Sequence, residues 1–216
     1  TVHRPAWLDY IAVKRFDEAG QVVGEARFLG LYTSTAYSAM VSEIPQVRRR
    51  AGQVMAAAGV VPDSHAAKSL QAILDAYPRD ELFQIDTATL TEHAIGILRL
   101  QERQRTRVFL RRDPFGRFTS AQVFVPRDRY NTASRLRIQQ ILLSELGGVA
   151  LEFTTLVSAS ALTRLFFVIR LAPDAPAAPD LASTADQVAA DPGGGGQGLF
   201  QVDLQARLGR AQHGLS

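Results

Sequence analysis

Two kinds of hydrophobic spacing divide this chain. Apolar and polar residues alternate from Trp7 to Phe16 and again from Val22 to Tyr32, on either side of Asp17-Glu18-Ala19-Gly20. Alternation sends successive side chains to opposite faces of a strand, and an Asp/Gly turn between two such runs predicts a β-hairpin. Two strands cannot bury a core by themselves, so this hairpin reads as the last strands of a domain whose earlier part lies elsewhere. From Pro45 to Gln101 the spacing becomes helical. Pro45 suits a first helical turn and Gly59 the end of a helix through Val47, Val54 and Met55. A second helix starts near Ser64, uses Leu70, Ile73 and Leu74, and stops at Pro78. A third starts near Thr89, with Glu92 as its reciprocal cap, and carries Leu90, Ala94, Ile97 and Leu98.

Alternation returns between Thr106 and Leu171. Val108-Phe109-Leu110 and Val123-Phe124-Val125 flank Asp113-Pro114-Phe115-Gly116, a second hairpin signal. A helix from Thr132 to Leu146 follows, with Ile138, Ile141, Leu142 and Leu146 on one side and Gly147-Gly148 as its stop. Val149–Val157 then pairs with Leu162–Leu171 across Ser158-Ala159-Ser160. Four antiparallel strands with one buried face need more cover than one helix provides. The amphipathic tail around Val202, Leu204 and Leu208 supplies the second, giving a two-layer α+β sandwich. Between them, Ala172 to Gly198 is rich in Ala, Pro, Asp and Gly and reads as a linker or long loop.

Composition narrows this picture. The 216 residues hold one ordinary domain or two small ones, and 46% hydrophobic content allows a sizeable core. There is no cysteine, which excludes disulfide scaffolds, thiol catalysis and Cys-based zinc sites and fits a reducing cytosol. No apolar run approaches the roughly 20 residues needed to cross a bilayer. The chain begins at Thr1 in mid-pattern, so an upstream region is expected and the lack of a signal peptide says little of the parent. Lys14 and Lys68 are the only lysines among 24 basic residues, a bias that a GC-rich genome explains together with the many alanines. The arginines are concentrated: Arg99 to Arg137 holds eleven against Glu102, Asp113 and Asp128. Nucleic acid on a sheet bearing Phe109, Phe118 and Phe124 is the sharp reading. The strand order and the wording RDPFGRFTS lack the RNA-recognition signature, so docking against acidic protein surface, or a solvated face, is the preferred one.

Candidate chemistry is sparse. Gly193, Gly195 and Gly198 satisfy G-x-G-x-x-G, but Ala189-Ala190-Asp191-Pro192 before them is no strand, so no dinucleotide site is expected. His3, His65, His93 and His213 lie in separate segments without ligand spacing. Asp80 and Glu81 are adjacent and point apart on a helix, which favours cap or surface roles. Arg127, Arg129, Asn131 and Thr132 surround the expected start of the Thr132–Leu146 helix. Two guanidiniums and unpaired N–H groups there would hold an anion such as an amino-acid carboxylate. The plainer reading is a capped helix with two surface arginines.

The wording of three stretches adds what patterning cannot. RRDPFGRF followed by VPRDRYNT, YIAVKRFDEAGQVVGEARFLGLYTSTAY (Tyr10 to Tyr37) and LDAYPRDELFQI (Leu74 to Ile85) resemble the non-catalytic N-terminal half of the large bacterial NAD-dependent glutamate dehydrogenases, in the same order. The resemblance runs from about Arg4 to Arg170. It implies a truncated PAS-like domain ending in the hairpin of residues 1–40, a three-helix connector at 41–104, and an ACT-like (ferredoxin-like) sandwich at 105–216. It implies a cytoplasmic, homo-oligomeric parent enzyme whose NAD binds an absent catalytic domain. No catalytic, cofactor-binding or metal-binding residue is then expected here. The expected partners are other domains or subunits of the parent and an amino-acid effector, with no membrane and no specific nucleic acid. A free-standing amino-acid-binding module and a nucleic-acid-binding protein are the rival readings.

Overall fold

A computed structural model describes residues 8–102, 105–156, 160–173 and 181–190. The chain divides into two compact units, Thr1–Glu102 and Arg103–Ser216.

The first unit opens with the expected hairpin. β1 (Asp9–Phe16) and β2 (Val22–Gly30) pair antiparallel from Asp9↔Gly30 to Phe16↔Val22, with a bulge at Arg15/Phe16. Its turn is built on Asp17. The Gly20 N–H donates to the Asp17 carbonyl at 3.0 Å, and the Gln21 N–H donates to Asp17 Oδ1 at 2.8 Å. Gly20 sits at φ +77°, where a side chain is disfavoured.

Helices fill the rest of this unit: α1 (Ser34–Ser38), α2 (Pro45–Ala57), α3 (His65–Asp75), α4 (Arg79–Gln84) and α5 (Thr87–Glu102). The periodic pattern predicts α2, α3 and α5 but passes over the five-residue α1 and the six-residue α4. Pro78, read as a stop, also serves as the N-cap position of α4, and Asp80 and Glu81 stand in the first turn of that helix. Asp80 accepts the Tyr37 hydroxyl at 2.6 Å, whereas Glu81 is buried at 4% exposure and is not a surface acid. The helix α5 starts two residues earlier than its pattern implied. Asp86, not Glu92, caps it: the Thr89 N–H and hydroxyl donate to the Asp86 carboxylate at 2.9 and 2.7 Å. Its buried stripe is Leu90, Ala94, Ile97 and Leu100, so Leu100 takes the place expected of Leu98. This stripe packs with Val47, Ala51 and Val54 of α2 and Leu70, Ile73 and Leu74 of α3 in one helical core.

The second unit holds β3 (Arg107–Arg112), β4 (Phe118–Pro126), α6 (Thr132–Leu146), β5 (Gly148–Leu156), β6 (Leu162–Leu171) and α7 (Leu181–Ala190). The strands form one antiparallel sheet in the order β3-β4-β6-β5. β4 and β5 therefore run parallel with β6 between them, and α6 connects them, a split β-α-β unit. Val123 and Val125 of β4 and Leu165, Phe167 and Ile169 of β6 face Ile138, Ile141, Leu142 and Leu146 of α6. The second covering helix is α7, which sets Val188 into this core and packs against β3 and α6. It lies inside the stretch expected to be linker. The tail with Val202, Leu204 and Leu208, expected to provide that cover, lies outside the described residues, as do Val157 and most of the turn after β5.

Candidate functional site

The clustered residues at the start of α6 are placed by the end of β4. After Pro126 the chain makes one 3-10 turn, Arg127–Arg129, and reaches the cap through Tyr130. The turn is tethered by the Arg127 N–H, which donates to the Ala161 carbonyl at 2.9 Å. Arg127, Asp128 and Arg129 are all exposed. Asn131 is the N-cap: its Oδ1 accepts the Ser134 N–H at 2.8 Å, and its own N–H donates to Ser134 Oγ at 2.9 Å. That reciprocal box engages the Asn131 side chain and the Ser134 N–H with each other. Thr132, the first residue of α6, is exposed. The four residues thus form one continuous surface corner in which the two guanidiniums are the strong donors. Guanidiniums present paired N–H groups that fit carboxylate or phosphate oxygens.

The β3–β4 turn repeats the Asp-x-x-Gly design of the first hairpin with one addition. The Gly116 N–H donates to the Asp113 carbonyl at 2.9 Å, and the Arg117 N–H to Asp113 Oδ2 at 3.1 Å. Arg117 then closes over the carboxylate, with Nε and Nη2 at 2.8 and 3.0 Å from its two oxygens. Burial pushes the Asp113 carboxyl up, but the Arg117 side-chain and backbone hydrogen bonds and the Arg117 and Arg111 charges outweigh it. The carboxyl is held below its ordinary value. The guanidinium also lies 5.0 Å from the Phe115 ring centre and 5.9 Å from that of Phe118. Sequence reading identified the turn but not this ion pair. The signal was Arg following the turn glycine, the position whose N–H already points at the carboxylate.

Phe109, Phe118 and Phe124 share the sheet face opposite α6, as the register places Phe109 beside Gln122 and Phe124 beside Arg107. They are 7, 6 and 6% exposed. Phe109 and Phe124 meet edge to face at 5.8 Å, and Arg111 lies 5.5 Å from the Phe118 ring centre. The rings are therefore packed side chains and not an open platform.

The remaining candidates stay apart. His65 begins α3 and lies 3.4 Å from Ser69 Oγ; His93 is buried with its Nδ1 2.9 Å from the Tyr77 hydroxyl. His3, His213, Gly193, Gly195 and Gly198 lie outside the described residues. Among the described residues no three His, Asp or Glu side chains gather as a metal site, and no helix is long and apolar enough to cross a membrane.

The split β-α-β sandwich with its capped helix, following a helical unit, defines an ACT-like module joined to a helical one. Residues 107–190 match the family model described as glutamate dehydrogenase, ACT2 domain, and residues 44–103 match glutamate dehydrogenase, helical motif 1. These two stretches coincide with the β3–α7 and α2–α5 portions of the fold. The NAD-specific glutamate dehydrogenase of Halomonas elongata is 44% identical over 180 residues, which is 83% of this chain and 11% of that protein. That of Pseudomonas aeruginosa is 44% identical over 172 residues, 80% of this chain and 11% of that protein. That of Mycobacterium tuberculosis is 39% identical over 161 residues, 74% of this chain and 10% of that protein. The chain belongs to the large glutamate dehydrogenases and is a piece of their regulatory region. It spans about a tenth of the length of the curated relatives it matches.

Proposed function

We propose that this segment serves regulation and assembly in a cytoplasmic, homo-oligomeric NAD-dependent glutamate dehydrogenase and takes no part in the chemistry itself. The parent reaction is L-glutamate + NAD⁺ + water to 2-oxoglutarate + ammonia + NADH + H⁺, with NAD held by a catalytic domain beyond this segment. The observation that carries the reading is the pair of consecutive glutamate dehydrogenase domain matches, helical motif 1 then ACT2, in a chain that covers so little of its relatives. Residues 1–40 are assigned to the end of a PAS-like domain, 41–104 to the connector and 105–216 to the ACT-like domain.

Within the ACT-like unit, Arg127 and Arg129 form the docking or effector corner, with Asn131 and Thr132 fixing the helix start beside them. Their partner is an acidic surface of another domain or subunit, or the carboxylate of an amino-acid effector. Two exposed guanidiniums on a backbone-tethered turn support this, because charges so placed steer association more than they tighten it. The burial of Phe109, Phe118 and Phe124 supports protein docking over nucleic acid, since single-strand binding needs exposed rings for bases to stack on.

The test is Arg127→Ala with Arg129→Ala in the full-length enzyme, followed by light scattering and glutamate turnover with and without amino-acid effectors. Weakened assembly or a blunted effector response is expected, with the ACT-like fold retained. Unchanged assembly and kinetics reduce the two arginines to solvated surface.

A further inference from the structure

The sheet of the second unit ends in two edge strands of opposite character. β3 carries Arg107, Arg111 and Arg112 among its six residues. Charge along an edge discourages another strand from adding to it. β5, with the sequence GVALEFTTL, has Glu152 as its one ionisable side chain and no proline. That carboxylate is engaged within its own sheet, accepting a hydrogen bond from Arg170 Nη2 at 2.6 Å. Among the described residues, no strand pairs with the outer side of β5. Apolar side chains gather along the strand: Val149, Phe153 and Leu156 are 64, 43 and 36% exposed. The helix layer adds another beside it. Leu136 is 47% exposed and lies two turns before Leu143 on one stripe of α6. Leu143 packs at the start of β5, where its Cδ2 would stand 2.9 Å from a Cβ on Gly148.

The register selects what this edge fits. A bulge separates Gly148 from Ala150, so the regular ladder of β5 runs from Ala150 to Leu156, and its midpoint is Phe153. Turned about a two-fold axis through Phe153, the strand opposes a copy of itself antiparallel, with every residue of the regular stretch paired. Ala150 meets Leu156, Leu151 meets Thr155, Glu152 meets Thr154 and Phe153 meets Phe153. The two glutamates are offset, so no like charges stand opposite each other. The aromatic pair sits on the axis, a favourable cross-strand combination. Phe153 lies beside Phe167 of β6 on the α6 side of the sheet, where the Arg135 guanidinium is 4.6 Å from its ring centre. A two-fold contact uses one patch twice and closes after two copies, so a single operation pairs the open main chain of both strands. We propose that β5 is a self-pairing strand, through which the ACT-like units of two subunits join into one continuous sheet. The near-palindromic fit of Ala150–Leu156 is what favours a second copy over any other strand. The inference rests on the homo-oligomeric reading above but on residues other than Arg127 and Arg129.

The 216 residues hold no cysteine, so thiols introduced there are new. In the full-length enzyme, Phe153→Cys places two thiols on the axis. Opposed antiparallel residues have Cα atoms about 4.5–5.5 Å apart, within the range a disulfide spans. Mild oxidation is expected to join two copies of the position-153 peptide, a link that can form only between chains. Glu152→Cys coexpressed with Thr154→Cys is expected to give the mixed link at least about tenfold more than either variant gives with itself. Both of those positions are exposed, so the pair keeps the test informative where Phe153→Cys disturbs packing. p-Benzoylphenylalanine in place of Phe153 then reports the neighbour directly. Photocrosslinking to β5 of another subunit supports the pairing. Capture of any other peptide, from the rest of these residues or from elsewhere in the parent, overturns it, as does absence of both disulfides. Light scattering separates the two readings. An oligomeric enzyme without these links overturns β5 pairing alone, whereas a monomeric one overturns the homo-oligomeric reading as well.

Discussion

At the scale of single residues, the glycines of this chain illustrate three different physical demands. Gly148 follows the left-handed stop of α6, where Gly147 has φ +65°. A Cβ on Gly148 would stand 2.5 Å from Ile169 Cγ2 and 2.9 Å from Leu143 Cδ2. Both neighbours belong to the packed sheet–helix interface, so Gly148→Ala should destabilise the ACT-like unit by roughly 1–3 kcal/mol through overpacking. Gly52 lies exposed in the middle of α2, with nothing within 4 Å of its added Cβ. There, Gly52→Ala should stabilise the first unit by about 0.5–1 kcal/mol, since only backbone entropy changes. Urea unfolding of the two variants checks both signs, and equal effects would contradict the placement of either glycine. Gly116 sits at φ +69° beside Asp113, whose carboxylate ties a turn to Arg117. The depressed Asp113 carboxyl titrates below its ordinary value of 3.8. Its contribution is fully present above 3.8 and is lost as pH falls from there through the folded value. Asp113→Asn should therefore lower stability at neutral pH, with the two proteins converging as pH falls below 3.8. A stability gap that persists in acid would show that the carboxylate charge is not what Arg117 recognises.

Among the secondary-structure elements, legibility followed the length and chemistry of each pattern. α6 was readable at both ends because Asn131 precedes an apolar stripe and Gly147-Gly148 follows it, and the structure runs from Thr132 to Leu146. The four strands of the second unit were readable from alternation and the Asp-Pro-Phe-Gly turn. α4 escaped notice because six residues complete fewer than two helical turns, too few for a period to emerge. α7 escaped for another reason: apart from Leu181 and Val188 it is Ala, Ser, Thr, Asp and Gln, and its fully buried positions are only Thr184 and Val188. Those two positions lie four apart on one helix face, a signal that the Pro/Ala/Gly-rich surroundings masked. The candidate corner at Arg127 and Arg129 was legible as charge next to a cap, but the tether to Ala161 joins residues distant in sequence and leaves no local trace. Val188 is fully buried against the sheet core, whereas Gln187 beside it is exposed. Val188→Ala should cost roughly 1–3 kcal/mol in the ACT-like unit, and Gln187→Ala less than about 0.5 kcal/mol. Chemical denaturation of both variants provides the comparison. Equal, negligible effects would mean that α7 does not cover the sheet.

For the molecule as a whole, charge is distributed against the grain of its small net value. The chain carries +3 formally, yet eleven arginines lie between Arg99 and Arg137. This basic stretch starts at the end of the helical unit and runs through β3, β4 and the first two turns of α6. Several of its guanidiniums are occupied with the protein itself. Arg117 pairs with Asp113, Arg111 is 6% exposed beside Phe118, and Arg135 stacks over Phe153 at 4.6 Å. Arginines so engaged contribute little to neutralising phosphates, and Phe109, Phe118 and Phe124 on the sheet are packed away, leaving Phe115 in the turn as the exposed ring of this stretch. Nucleic acid should therefore bind this chain only weakly, with an affinity that falls steeply as salt rises and does not depend on sequence. A filter-binding assay at physiological salt, with single- and double-stranded probes of differing sequence, measures this directly. Tight retention of one sequence over another would require base edges to reach a reading surface, and so would place function on the Phe109–Phe118–Phe124 face. Weak, salt-limited retention leaves Arg127 and Arg129 as the exposed cations next to a rigid helix start. That geometry suits meeting a folded acidic surface, because a tethered turn holds its charges in one orientation before the partner arrives.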